Sequence, residues 1–245
     1  ELVLHRPRRE PQPAITAEHP WERFIADAMV VDWGGGESRL YYTCTAADGP
    51  TAALPGYVKV CLAVSRSNGT AWHKPVLNVS AFNGSMATNI ISINGGAEST
   101  QAQVGGVWRD SDEWKMLVTL CYIPRYCQPH DGQTFGGAKR LGDADRLGGG
   151  RGLFVASSSD GISWTTDFPA PSLVGSDTMN VGMGRDSSGN YTFFVRHHCN
   201  DSDAEHFAAS RQIGLCSTTD LADFGPIREV FKAAPVAGEV VDVYT

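Results

Sequence analysis

VASSSDGISW, residues 155–164, decides how this chain is read. An apolar start, a serine run, the pair Asp160-Gly161 and an aromatic describe a strand, a tight turn and a second strand. The same shape stands at AVSRSNGTAW, residues 63–72, with Asn68-Gly69 at the turn, and at LCSTTDLADF, residues 215–224. Three copies of one hairpin make internal repetition the first reading to pursue. The segments before the hairpins match as well. Residues 28–33 and 39–44 read as two strands around Gly34-Gly35-Gly36. Residues 89–94 and 114–122 read the same way, as do residues 177–184 and 191–196 around Ser188-Gly189-Asn190. Each unit is then a run of short antiparallel strands rich in Val, Ile, Tyr, Thr and Phe, without a helical period.

Four-stranded sheets at this spacing predict an all-β chain folded as a β-propeller, with a β-sandwich as the alternative. The blade-like units cover about 19–80, 81–170 and 171–235, and a fourth begins near 236, within a propeller domain 19–245. Residues 1–18, with Arg6, Pro7, Arg8, Arg9, Pro11 and Pro13, read as an extended arm. Residues 124–151 are Gly-rich and of mixed charge, and read as a loop insertion.

Composition sets the outer limits. The 245 residues carry a formal net charge of −7, with 42% hydrophobic and 19% charged residues. That balance excludes a disordered chain. It also argues against nucleic-acid and anionic-membrane partners, which need a basic face. No apolar run is long enough to span a bilayer. Five of the eight asparagines, Asn68, Asn78, Asn83, Asn190 and Asn200, stand in N-x-[ST] sequons. They are glycan acceptors if the protein is secreted, and turn residues otherwise. Six cysteines allow the local pairs Cys44–Cys61, Cys121–Cys127 and Cys199–Cys216, with six buried thiols as the alternative. No cysteine–histidine spacing suits zinc, and His197 and His198 point to opposite faces of a strand. Walker A, G-x-S-x-G, HExxH and EF-hand motifs are all missing, so no cofactor and no metal are expected.

The chain resembles the five-bladed β-propeller glycosidases, the invertase/levanase-type and arabinanase/xylosidase-type enzymes and their uncharacterised relatives. The likeness rests on His19-Pro20-Trp21-Glu22, on Ala26-Asp27 with the strand after it, and on Trp108-Arg109-Asp110 before Trp114-Lys115-Met116. It rests also on the hairpins with Lys74-Pro75 and on residues 214–221. It implies a secreted protein acting on a carbohydrate through carboxylates that converge on a central funnel. By the likeness, Asp27 stands where such enzymes place the base or nucleophile, although Ala28 replaces the usual proline. Asp110 follows Arg109 as in an Arg-Asp-Pro motif, with Ser111 in place of proline; there it would hold sugar hydroxyls. The same stretch also reads as a charged hairpin turn. Asp177 is positionally equivalent to Asp27. The proton donor is expected at Glu239 or Asp242, of which a regular strand can aim one into the funnel. Trp21, Asn89, Asn180 and Arg196 are candidate sugar contacts. Trp72 and Trp164, at matching hairpin positions, are expected to pack between blades.

Two functions compete. One is a glycoside hydrolase or a close relative. The other is a non-catalytic extracellular carbohydrate-binding or assembly module, which the two lost prolines favour. Three units and the start of a fourth fall short of a five-bladed ring. Another chain, or sequence after Thr245, would complete it. An open ring would leave one blade face uncovered.

Overall fold

The computed structural model describes residues 12–46, 58–95, 101–121, 151–167, 173–174, 180–198, 211–221 and 228–231. Among them there is no α-helix, only a 3₁₀ turn at Pro20–Glu22. None of the described residues forms a helix long and apolar enough to cross a membrane.

Three sheets follow one another along the chain. The first joins β1 (Phe24–Gly34), β2 (Glu37–Thr45) and β3 (Val58–Ser65) in antiparallel order. The second is built on β5 (Gln101–Asp110), β6 (Glu113–Cys121), β7 (Arg151–Ser158) and β8 (Ser163–Thr166). A short strand β4 (Ser92–Ile93) joins β8 in parallel, and β9 (Leu173–Val174) pairs with β7. The third is the antiparallel set β10 (Val181–Arg185), β11 (Tyr191–His198), β12 (Arg211–Thr218) and β13 (Arg228–Phe231).

Why these sequences form strands is visible in their burial. Neighbouring side chains on a strand face opposite ways. On β2, Tyr41 faces the second sheet, while Leu40, Tyr42 and Cys44 face away from it. Both sets are buried, so the strand reads as an unbroken buried run rather than an alternating one. The inward core joins Tyr41, Val60, Leu62 and Val64 to Trp114, Met116, Val118, Phe154 and Trp164 of the second sheet. The other face of the second sheet packs Trp108, Leu117, Leu153 and Val155 on Tyr191, Phe193, Val195 and Leu221 of the third. Trp164 lies inside the inward core, between the sheets, as its hairpin position implied.

The outward face of the first sheet is largely covered, with Val30 left exposed at its edge. Trp21, Phe82 and Ile90 close over Leu40, Tyr42, Cys44, Cys61 and Ala63, with Ile15, Ile25 and Trp72 at the border. Ile15 therefore belongs to a core although it falls in the segment read as an arm.

The innermost strand of the middle sheet, β5, runs against β1 on one side and β10 on the other. Gly105 and Gly106 make the second contact possible. A Cβ on Gly105 would lie 2.6 Å from the Asn180 carbonyl oxygen, and one on Gly106 would lie 2.8 Å from that of Gly182. These glycines serve close backbone approach. The strand differs from the sequence reading, which opened the second unit at residues 89–94. That stretch supplies only β4 and an isolated bridge between Ile90 and Cys61.

One of the expected disulfides is formed. Cys44 and Cys61 are joined, 17 residues apart in sequence, between β2 and β3. Cys199–Cys216 is corrected: Cys216 is a free, buried thiol. Cys216 pairs with Phe193 in the middle of β11, and Cys199 lies outside the described residues. Cys127 lies outside the described residues. Replacing both Cys44 and Cys61 by alanine should cost about 3 kcal/mol, because the bond closes a short loop in the unfolded chain. Urea unfolding of the two forms measures it, and an unchanged midpoint would show that the bond constrains nothing.

Candidate functional site

Asp27 sits inside β1, where the strand departs from regularity. Ala26 pairs with Thr43 and Met29 with Tyr41, so β1 carries one extra residue against β2. The extra residue is taken up in a β-bulge, and Asp27 has φ +49°. The left-handed region disfavours most side chains, and Asp and Asn tolerate it best. A bulge re-aims a side chain that regular alternation would send elsewhere. Asp27 is half-buried, with exposed Ala28 beside it. It thus stands within the innermost strand of the first sheet, and not in a surface turn.

Asp110 ends β5, opposite Glu113. Its carboxylate accepts a hydrogen bond from the Tyr191 hydroxyl of the third sheet. Arg185 Nη2 stands 3.8 Å from the same oxygen and donates to the Tyr191 hydroxyl, with its guanidinium 4.6 Å above that ring. Burial, and then the bond to Asp110, raise the Tyr191 pKa. Asp110 therefore ties two sheets together. The structure does not bring it to Asp27. The Val104 amide donates to Thr43 Oγ1 at 3.4 Å, and Thr43 is the partner of Ala26. Val104 thus marks the level of Asp27 on β5, and Asp110 is about 20 Å farther along that strand.

Trp21 and Asn89 are brought together, in a closed cluster. The Trp21 indole Nε1 donates to Asn89 Oδ1 at 2.7 Å. Asn89 Nδ2 donates to the Tyr42 hydroxyl at 2.7 Å and to the Leu62 carbonyl at 3.0 Å. The Tyr42 hydroxyl donates to Glu22 Oε1 at 2.5 Å. Lys74 Nζ stands 2.7 Å from Glu22 Oε2, which also accepts from the Glu18 amide at 3.1 Å and the His19 amide at 3.2 Å. Glu22 is fully buried. Burial alone would raise its pKa. The bonds from Lys74, Tyr42 and the Glu18 amide outweigh that and hold the carboxyl below its ordinary value. Burial and then Glu22 push the Tyr42 hydroxyl pKa up. Every polar atom here has an internal partner, so Trp21 and Asn89 act in packing and not at an open sugar face. Sequence reasoning missed Glu22, Tyr42 and Lys74 as a group. The signals were present, in the His19-Pro20-Trp21-Glu22 run and in Lys74-Pro75, but nothing in them showed that they meet.

The other candidates are dispersed. Asn180 is buried beside β5, with Nδ2 donating to Thr119 Oγ1 at 3.4 Å. Arg196 lies in β11 opposite Ile213. Asn68, Asn78 and Asn83 are exposed residues in left-handed conformation, and Asn190 is half-buried where a turn meets β11. Asp177, Glu239, Asp242 and Asn200 lie outside the described residues. Among the described residues no group of three or more His, Cys, Asp or Glu is placed to hold a metal ion.

No family model matches the sequence, and no curated protein matches it. Solved structures do share the fold. An N-acetylgalactosamine deacetylase from F. plautii, in complex with blood group B trisaccharide, is 14% identical with a TM-score of 0.50 over 92% of this chain and 57% of its own. A thermostable family-43 glycoside hydrolase is 14% identical with a TM-score of 0.47, over 90% of this chain and 57% of its own. A family 117 glycoside hydrolase from the marine bacterium Zobellia galactanivorans is 12% identical with a TM-score of 0.43, over 84% of this chain and 54% of its own. The chain spans a little over half the length of each. Likeness at these identities concerns the fold alone.

Proposed function

We propose that this chain is a glycosidase-like propeller protein that acts on a carbohydrate, with Asp27 as the base or nucleophile. One observation carries the reading: a non-glycine residue held at φ +49° in a bulge of the innermost strand. Aspartate tolerates this conformation better than most residues, and sparsely populated backbone conformations cluster at functional sites when they occur inside regular elements and not in turns. A carboxylate is one half of what glycoside hydrolysis needs. The second must stand about 5–10 Å away as acid. Asp177, Glu239 and Asp242 are the proposed partners, with Asn180 and Arg196 as sugar contacts. The carbohydrate-active proteins that share the fold support the substrate class. The Cys44–Cys61 bond supports an oxidising, extracellular setting.

A panel of aryl glycosides, with wild type and Asp27→Asn, tests the proposal. Asparagine keeps the shape and tolerates the left-handed backbone, so the variant isolates the charge. Turnover should fall at least about a hundredfold. Equal turnover in both proteins removes Asp27 from the chemistry. The engagement of Asp110 with Tyr191, far from Asp27, favours a second reading, a carbohydrate-binding module without hydrolysis. Sugar binding without turnover on the whole panel would select it.

A further inference from the structure

We propose that Asn68 and Asn83 carry N-linked glycans, at turn tips that rise from the layer covering the outward face of the first sheet. The argument starts from placement. Asn68-Gly69-Thr70 and Asn83-Gly84-Ser85 each form the tip of a tight turn. Asn68 has φ +53° and Asn83 has φ +47°, and both side chains are exposed. In the second turn Phe82 and Ser85 exchange backbone bonds of 2.9 Å, which pushes Asn83 and Gly84 outward. Trp72, just after the first tip, and Phe82, just before the second, both pack on the outward face. The two tips therefore rise from the layer that covers that face.

An independent observation agrees. Cys44 and Cys61 belong to the same buried cluster and are oxidised. Disulfides and N-glycans are made in the same oxidising secretory compartment. Tyr42, Cys44, Cys61 and Ala63 are completely buried beneath Trp21, Phe82 and Ile90, while Val30, the partner of Leu40, stays 62% exposed at the edge of that face.

The modification is a group transfer from a lipid-pyrophosphate-linked oligosaccharide. The Asn Nδ2 attacks C1 of the first sugar, and an N–C1 bond forms. The C1–O bond to pyrophosphate breaks, the lipid pyrophosphate leaves with the electron pair, and the amide loses one proton to base. The hydroxyl two residues on assists recognition of the acceptor. Thr70 and Ser85 are exposed, with the Thr70 hydroxyl donating to the Ser67 carbonyl at 2.7 Å and the Ser85 hydroxyl accepting from the Ala87 amide at 3.2 Å. Asn78 differs. Its sequon ends in Ser80, which is 7% exposed and donates to the Ile91 carbonyl at 3.0 Å. In the folded chain that hydroxyl is buried, unlike those of Thr70 and Ser85.

The test is expression of the whole chain behind a secretion leader in a eukaryotic host. Glycans are then released enzymatically in heavy-oxygen water, so each modified Asn becomes a mass-labelled Asp. Asn68 and Asn83 should be labelled in most molecules and Asn78 in fewer. Unlabelled Asn68 or Asn83 in secreted protein, or Asn78 labelled above both, overturns the assignment.

Discussion

Replacing Gly161 by alanine should cost the fold about 4 kcal/mol, the sum of a backbone strain and an overpacking cost. Gly161 is the second residue of the turn between β7 and β8, at φ +71°. A Cβ there would meet the Trp33 ring, and would lie 2.5 Å from both Arg39 Nη1 and the Tyr41 hydroxyl. None of the three can give way cheaply. Trp33 is stacked on Trp114 at 3.9 Å with the Arg39 guanidinium 3.6 Å above its other face. Arg39 Nη1 donates to the Asp160 carbonyl at 2.6 Å, and the Tyr41 hydroxyl donates to the Gly161 carbonyl at 2.9 Å. The turn of the second sheet is thus locked beneath the first. Gly69 provides the internal control. It occupies a comparable turn in the first sheet at φ +76°, but a Cβ there meets only Trp72, at 3.7 Å. Gly69→Ala should cost only the backbone part, about 1 kcal/mol. Both turns are capped alike, by the Ser158 hydroxyl accepting from the Gly161 amide at 2.8 Å and the Ser65 hydroxyl accepting from the Gly69 amide at 3.0 Å. The difference between the two urea midpoints therefore reads the interlock. Equal losses would mean that the turn of the second sheet does not depend on this fit.

The second large effect is expected at Lys74. Replacing it by alanine leaves the Glu22 carboxylate fully buried without its cation, which should cost about 3–5 kcal/mol at neutral pH. The pH dependence identifies the cause. In wild type the folded-state pKa of Glu22 lies below its unfolded value. The folded state then binds fewer protons, so this contribution is fully present above the ordinary glutamate value. It is lost as pH falls through the folded value. In Lys74→Ala the cation that lowered the pKa is gone, and protonation relieves the buried charge. The gap in stability between the two proteins should therefore narrow as pH falls from about 6 to about 4, around the ordinary glutamate pKa. Unfolding at several pH values measures it. A gap independent of pH would show that Lys74 acts by packing alone.

Much of the architecture was legible because turns announce themselves. Asn68-Gly69, Asp160-Gly161 and Gly34-Gly35-Gly36 mark reversals by residues that accept positive φ, and the structure has positive φ at Asn68, Gly69, Gly161 and all three central glycines. The strand β5 was not legible. Its Gly105-Gly106 pair reads as a strand breaker, and its purpose shows only when β10 comes alongside. Residues 89–94 misled for the opposite reason. Ile90, Ile91 and Ile93 look like a strand, and they are buried, but by packing more than by a ladder. At the candidate site Asp27 was expected to open a strand, but β1 already begins at Phe24 and Asp27 lies inside it. The bulge that turns its backbone could not be read, since a bulge is set by the register of two strands. The buried Glu22 was beyond reach because its burial depends on Lys74, which stands far away in sequence and close in space.

The lid over the first sheet has a consequence for the order of events during synthesis. Everything that closes that side, from Ile15 to Ile90, is contiguous in the chain, and so is the cross-link between Cys44 and Cys61. Half of the molecule's first core can therefore be complete before the second sheet has been made. Gly161, which locks the opposite side, comes about seventy residues later, several seconds at the usual pace of roughly 5–20 residues per second. During that interval Tyr41, Leu62 and Val64 wait without their neighbours, and a nascent chain paused there would present one sealed flank and one sticky one.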